Sequence, residues 1–115
     1  MSIDPSGGLP QACGATVPYA ITNTGTETAA GPDSKQTALD AARKSADDSN
    51  DAEKATITCQ SACAAGRTVT NEDPDYDAVP PGFVPIQTSD NPPKTVGWKC
   101  TVKRVKLITI ECKQG

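Results

Sequence analysis

The chain has 115 residues and a formal net charge of -3 at pH 7, and only 36% of its residues are hydrophobic and 3% aromatic. Leu, Ile, Val and Phe together supply 17 residues, below the roughly 20% at which unaided folding becomes doubtful. These figures argue against a large enzyme core and a basic nucleic-acid-binding domain. No apolar run approaches the ~18 residues of a transmembrane helix, so we expect no transmembrane segment.

The N-terminus is rich in Gly and Pro and has no apolar stretch of the kind found in a signal peptide. We therefore predict a flexible segment over residues 1–14 and a single small α+β domain over residues 15–115.

The first predicted element is a β-strand over residues 16–28. This stretch is rich in β-branched residues, and Val17, Tyr19 and Ile21 alternate with smaller or polar neighbours, which is the period of a half-buried strand. Pro18 cannot donate a hydrogen bond to a ladder, so its presence favours an edge strand or the beginning of a strand.

A helix is predicted next. Asp33, followed three residues later by Gln36, resembles a capping box that starts a helix. Small or apolar residues then recur at helical spacing and predict an Ala-rich face packed on a sheet: Ala38, Leu39, Ala41, Ala42, Ser45 and Ala46. The poor helix formers of residues 49–51 predict that the helix ends or breaks near there.

The stretch after the helix is ambiguous over residues 55–60, which fit either a short strand or a helix that runs on to Gly66. We favour the strand, and we predict another strand over residues 67–71. Residues 71–95 carry six prolines and five acids, and we predict a long acidic loop there.

The last predicted element spans residues 96–112. Apolar residues at 98, 100 and 102 share one parity with those at 108, 110 and 112, whereas Val105 and Leu107 have the other parity. Two interpretations fit this pattern: a bulge near Lys103 and Arg104 within one strand, or a turn at these two residues that joins two strands.

Five cysteines in a chain with so small a core predict disulfides, and therefore an oxidising compartment. We expect a mature secreted, periplasmic or cell-surface protein. Cys59, Cys63, Cys100 and Cys112 are the predicted disulfide cysteines, with Cys13 as the free or intermolecular thiol. A zinc site is the alternative, but only the first two of the four are closely spaced.

Charge is divided unevenly along the chain: residues 1–93 sum to -8 and residues 94–115 to +5. The basic end either pairs with acidic neighbours across the sheet, protects a sheet edge, forms an assembly surface or binds an anionic polymer or lipid. Lys103, Arg104 and Lys106 are the candidate interaction residues. Nucleic acid is disfavoured because aromatic side chains for stacking on bases are scarce.

Three further patterns are weaker. Phe83 and Val84 lie beside prolines and form a candidate interaction site, although Phe83 also suits a small core. Asp73, Asp75 and Asp77 alternate as in a calcium loop, but position six is Ala and position twelve is Val, so solvated acids are predicted. Residues 22–28 place four threonines on one strand face, which suits ordinary exposure or contact with a flat polysaccharide or crystalline surface.

Catalysis has no foundation in the sequence, because the chain lacks His and shows no nucleophile elbow or phosphate-binding loop. We expect that the protein is not an enzyme and that it binds no cofactor, metal or small-molecule substrate. The leading hypothesis is a secreted or cell-surface binding or structural module that self-associates or binds a protein partner. One alternative is an extracellular inhibitor or regulatory ligand that presents the loop around Phe83, and another is a zinc-stabilised intracellular adaptor.

Overall fold

The structure, a computed structural model, describes residues 11–60, 63 and 66–113. It contains two disulfides and one helix packed on an antiparallel sheet. This architecture confirms the α+β prediction. The elements in chain order are β1 (Thr16–Ala30), α1 (Lys35–Lys54), β2 (Gly66–Glu72), β3 (Tyr76–Asp77), β4 (Gly82–Gln87) and β5 (Thr95–Lys113). Within the described residues, no helix is both long enough and apolar enough to span a bilayer.

β5 is the central strand of the sheet. β1 lies on one side of it, and β2, β3 and β4 pair with it on the other. Gly14 N donates to Cys112 O and Gly31 N to Val96 O, so β1 runs antiparallel to β5. Among the residues that the structure describes, β1 pairs with β5 alone and is an edge strand, in keeping with Pro18.

β5 is one continuous strand of 19 residues, so the predicted turn at Lys103 and Arg104 is wrong. The parity of the buried face continues without a break from Cys100 to Cys112, because Arg104 and Lys106 occupy buried-face positions between the apolar residues. Nor is β5 a lysine-protected edge, since it has neighbours on both sides.

The segment predicted as a loop, residues 71–95, contains β3 and β4 instead. β4 pairs antiparallel with β5, from Gly82 opposite Thr101 to Gln87 opposite Thr95. Pro85 is accommodated because β4 is an outer strand of the sheet, where one row of N–H groups has no ladder partner.

α1 begins one residue later than the capping box predicted. Ser34 O accepts the first helical bond, from Ala38 N, and Ser34 Oγ donates to Ala29 O and Gly31 O. The Gln36 side chain donates forward to Asp40 instead of reaching back toward Asp33, so the capping box at Asp33 is wrong.

α1 also continues past the predicted stop at residues 49–51, because Asn50 is fully buried and bonded to Asp75. It ends at Lys54, where Arg67 Nη1 donates to Lys54 O at 2.6 Å and to Ile57 O at 3.0 Å. Residues 55–60 form a turn and an irregular segment with one isolated bridge, between Cys59 and Gln11. Neither the predicted strand nor a longer helix is present there.

The chain divides into two compact units. The described residues within Met1–Thr22, Asn50–Tyr76 and Val105–Gly115 form the disulfide unit, and Asn23–Ser49 with Asp77–Arg104 form the tryptophan unit, named for Trp98. β1, α1 and β5 each contribute residues to both.

Each unit has its own apolar core. In the disulfide unit the core consists of buried residues from β1, β5 and the segment after α1: Tyr19, Ile21, Ile57, Cys63, Ile108, Ile110 and Cys112. In the tryptophan unit the core joins α1 to β5: Ala38, Leu39, Ala42, Cys100 and Val102, with Phe83 and Trp98 packed against it. The small alanines bring the helix close to the sheet, which helps a chain that is poor in large apolar residues.

Candidate functional site

The disulfides join Cys13 to Cys63 and Cys59 to Cys112, with Cα–Cα distances of 5.3 and 5.7 Å. Cys100 is the free cysteine and is fully buried. The sequence prediction was therefore wrong in leaving Cys13 unpaired and in placing Cys100 in a disulfide.

Backbone pairing explains the correction at Cys13. Gln11 N donates to Thr58 O at 3.0 Å, and Gly14 N donates to Cys112 O at 2.7 Å, so the chain on either side of Cys13 is fixed within the disulfide unit. Residues 11–14 thus belong to the fold, whereas residues 1–10 of the predicted flexible segment lie outside the described residues.

Cys100 belongs to the core of the tryptophan unit, among Ala38, Ala42 and Val102. Burial raises the pKa of its thiol, so the thiol stays protonated and unreactive near neutral pH. With the other four cysteines in disulfides, the zinc-stabilised adaptor loses its ligands. No cluster of three or more metal-ligating side chains occurs in the described parts of the chain.

The first charged cluster, in the tryptophan unit, is centred on Arg104. Its guanidinium binds Asp47 through two bonds, Nε to Oδ1 at 2.9 Å and Nη2 to Oδ2 at 3.2 Å, and Nη1 donates to Asp77 Oδ1 at 2.9 Å. Arg43 Nη2 donates to Asp77 Oδ2 at 2.6 Å. The pKa of Arg104 is raised, first by the hydrogen bond to Asp47.

Asp77 is the shared carboxylate of this cluster. The hydrogen bond from Arg43, with a further one from Arg104, holds the pKa of Asp77 below its ordinary value. The side chain of Asp77 is 21% exposed, so it is not one of the solvated acids that the sequence predicted.

We expect acid to destabilise the protein in part through Asp77. A carboxylate with a lowered native pKa contributes its full stability above the unfolded pKa of about 4, and that contribution is lost as pH falls through the native pKa. Asp77→Asn should lower the free energy of unfolding by about 2 kcal/mol at neutral pH and should flatten its decline in acid. Urea unfolding at a series of pH values measures both. Asp33→Asn, at an exposed position, is the control, and an equal effect there would refute the role of Asp77.

The second charged cluster, in the disulfide unit, is centred on Lys106. Its ammonium lies 2.6 Å from Asp75 Oδ1, 3.1 Å from Glu72 Oε2 and 3.3 Å from Asp51 Oδ1. The Lys106 side chain is 8% exposed and that of Asp75 7%. Burial alone would lower the pKa of Lys106, but the three carboxylates together raise it above its ordinary value.

Two further side chains belong to this cluster. Asn50 Nδ2 donates to Asp75 Oδ2 at 3.0 Å, and Lys54 Nζ lies 3.0 Å from Glu72 Oε1. Hydrogen bonds from Lys54, which has the larger effect, and from Lys106 hold the pKa of Glu72 below its ordinary value. Sequence reasoning missed Asn50, although a residue of low helix propensity inside a helix is a signal that its side chain has a partner.

The remaining candidate interaction residues lie elsewhere. Phe83 is half-buried against the core of the tryptophan unit, and Lys35 Nζ lies 5.2 Å from the centre of its ring. Val84 is 59% exposed and Lys103 is exposed. Of the three basic residues predicted as an interaction surface, Arg104 and Lys106 are instead occupied by internal carboxylates.

β1 provides a different kind of surface. Its even-numbered residues from Thr16 to Ala30 are all exposed, and among them are four regularly spaced threonines: Thr22, Thr24, Thr26 and Thr28. Thr26 Oγ1 lies 3.2 Å from Thr101 Oγ1 on β5. Within the described residues, β1 has a neighbouring strand on one side only.

Comparisons of this chain with protein-family models, with curated proteins and with solved structures found no match.

Proposed function

We propose that this protein is a non-enzymatic, extracellular or cell-surface structural module that self-associates by pairing of its edge strand β1 with β1 of a second copy. The open edge of β1 is the observation that carries this proposal. The two disulfides support an oxidising compartment, because such bonds persist mainly in secreted and surface proteins.

The length and composition of β1 suit pairing with another strand. It has 15 residues, long compared with the usual five or six, and Glu27 is its only charged side chain. Natural edge strands are usually protected by lysines, by shortness or by a covering element. An identical strand is a suitable partner, because two copies pair antiparallel about a twofold axis and place threonine opposite threonine.

The direction of the backbone groups identifies which residues of β1 form the open edge. Ala15 O accepts from Cys112 N and Gly31 N donates to Val96 O, so odd-numbered positions bond to β5 at both ends of the strand. Because successive residues direct their backbone groups to opposite sides, the even-numbered residues direct theirs away from β5. Pro18 is even-numbered, and its missing N–H fits this assignment.

The other routes to a partner have less support. Assembly through opposite charges needs Arg104 and Lys106 to be available to a partner. These two side chains already make five contacts with carboxylates inside their own units. Presentation of Phe83 to an enzyme or receptor needs a free aromatic ring, whereas this ring packs against the core.

Sedimentation of the wild type over a range of protein concentrations tests the proposal. We expect a reversible dimer that resists added salt, because main-chain hydrogen bonds are less screened than surface charges. Thr24→Pro removes one outward N–H and should weaken the dimer at least tenfold, whereas Thr24→Val retains this N–H and should not. Circular dichroism checks that both variants fold, and Thr24→Lys replaces the proline variant if that one does not. A wild type that stays monomeric at millimolar concentration would overturn the proposal.

A further inference from the structure

The geometry points to an intramolecular amide bond that forms between Lys106 Nζ and the side-chain carbonyl carbon of Asn50, with Asp75 as the acid–base group. This modification would join β5 to α1 covalently within the disulfide unit. It does not depend on self-association through β1.

Asp75 connects the two reacting groups. One oxygen of its carboxylate lies 2.6 Å from Lys106 Nζ, and the other accepts a hydrogen bond of 3.0 Å from Asn50 Nδ2. A single carboxylate is thus placed to take a proton from the amine and to return one to the amide nitrogen, which is the geometry required of a general acid–base.

Burial of the three side chains keeps water away from the reacting groups. Asn50 is fully buried and the side chains of Lys106 and Asp75 are 8% and 7% exposed. Bound to the two oxygens of one carboxylate, an amine and an amide that would not react in dilute solution gain a large effective concentration. Exclusion of water also protects the intermediate from hydrolysis.

The proposed reaction balances without a cofactor or oxidant. Lys106 passes a proton to Asp75, and the neutral amine attacks Cγ of Asn50. The new Nζ–Cγ bond forms as the Cγ–Nδ2 bond breaks, and the leaving nitrogen receives both protons that Nζ loses in addition to its own. One ammonium ion leaves, and Asp75 returns to its carboxylate form.

The carboxylates around Lys106 oppose the loss of its proton. Asp51, Glu72 and Asp75 all face the ammonium and hold it in its charged form, and Lys54 balances Glu72. Bond formation should therefore be gradual and faster in alkaline buffer, where a larger fraction of the amine is neutral.

Intact mass spectrometry of the reduced, denatured wild type, after incubation in alkaline buffer, tests the inference. We expect a mass lower than that of the uncross-linked chain by one ammonia. Protease digestion should yield a branched peptide that contains Asn50 and Lys106. An unchanged mass would overturn the inference, and loss of one water would too, because it would assign the bond to a carboxylate.

Variants separate this bond from a cyclic imide at the sequence Asn50-Asp51, which also releases ammonia. Lys106→Met should restore the full mass, and persistence of the loss in this variant would overturn the inference. Asp75→Ala should slow the loss at least tenfold. Lys54→Met is the matched control and should retain the loss of ammonia. It removes a neighbouring amine that, among the acids named here, contacts only Glu72. The branched peptide of the wild type decides the question even where a variant fails to fold.

Discussion

We expect the double substitution Cys59→Ala/Cys112→Ala to lower the free energy of unfolding by about 4 kcal/mol. This disulfide spans a sequence separation of 53 residues, and closing a loop of that length in the unfolded chain accounts for a stabilisation of this size. Net stabilities of small proteins are only ~5–15 kcal/mol, so the loss removes a large part of the total. Urea unfolding followed by circular dichroism measures it.

Cys100→Ala is the matched control for this experiment, because it removes a buried sulfur without opening a disulfide. We expect a cost of about 1 kcal/mol there, from lost packing alone. If the control and the double variant lose equal stability, the contribution of the disulfide is packing and the loop-closure explanation is wrong. Alkylation without reductant should label no cysteine in the folded wild type, since the one free thiol is buried.

The disulfides also show where sequence reasoning stops. Composition predicted that covalent bonds must supplement a small core, and two disulfides with one remaining thiol are present. The pairing depended on contacts between distant segments: Gln11 beside Cys59 and Gly14 beside Cys112. No local pattern around Cys13 contains that information.

The predicted turn within β5 is wrong for a different reason. Hydrophobic periodicity assumes that a buried position is apolar, and Arg104 and Lys106 break that assumption on the buried face of β5. Each is surrounded by carboxylates from elements distant in sequence. The charge division between residues 1–93 and 94–115 was the available signal, and its interpretation as internal pairing across the fold is the one that the contacts support.

The acidic, proline-rich stretch was predicted as a loop because its prolines and acids have low strand propensity. Tertiary context overrides that preference in β3 and β4. Asp75 forms an ion pair with Lys106, and Asp77 forms ion pairs with Arg43 and Arg104, so the acids no longer repel one another. Pro85 lies in an outer strand. Prediction succeeded where propensity and environment agree, as at residues 16–28 and 67–71, and failed where a distant partner decides.

We expect Gly25→Ala to be among the most destabilising single substitutions in the tryptophan unit, at about 3 kcal/mol. Gly25 lies inside β1, which continues through it to Ala30. A Cβ at this position would collide with Ala42 O and would lie 2.9 Å from Ala46 N, both of which are backbone atoms of α1. The helix therefore packs directly on the backbone of β1, and overpacking at such a contact forces a shift of main chain that no side-chain rotation relieves.

Gly82→Ala is the matched control, because a Cβ there meets nothing closer than Thr101 O at 3.9 Å, and its cost should stay within about 0.5 kcal/mol. The double variant Gly25→Ala/Ala42→Gly provides a second test. It removes the side chain of Ala42 but retains the carbonyl with which the new Cβ collides, so it should not recover the lost stability. Recovery would mean that side-chain packing sets the distance between α1 and β1, and the same urea unfolding experiment distinguishes the two outcomes.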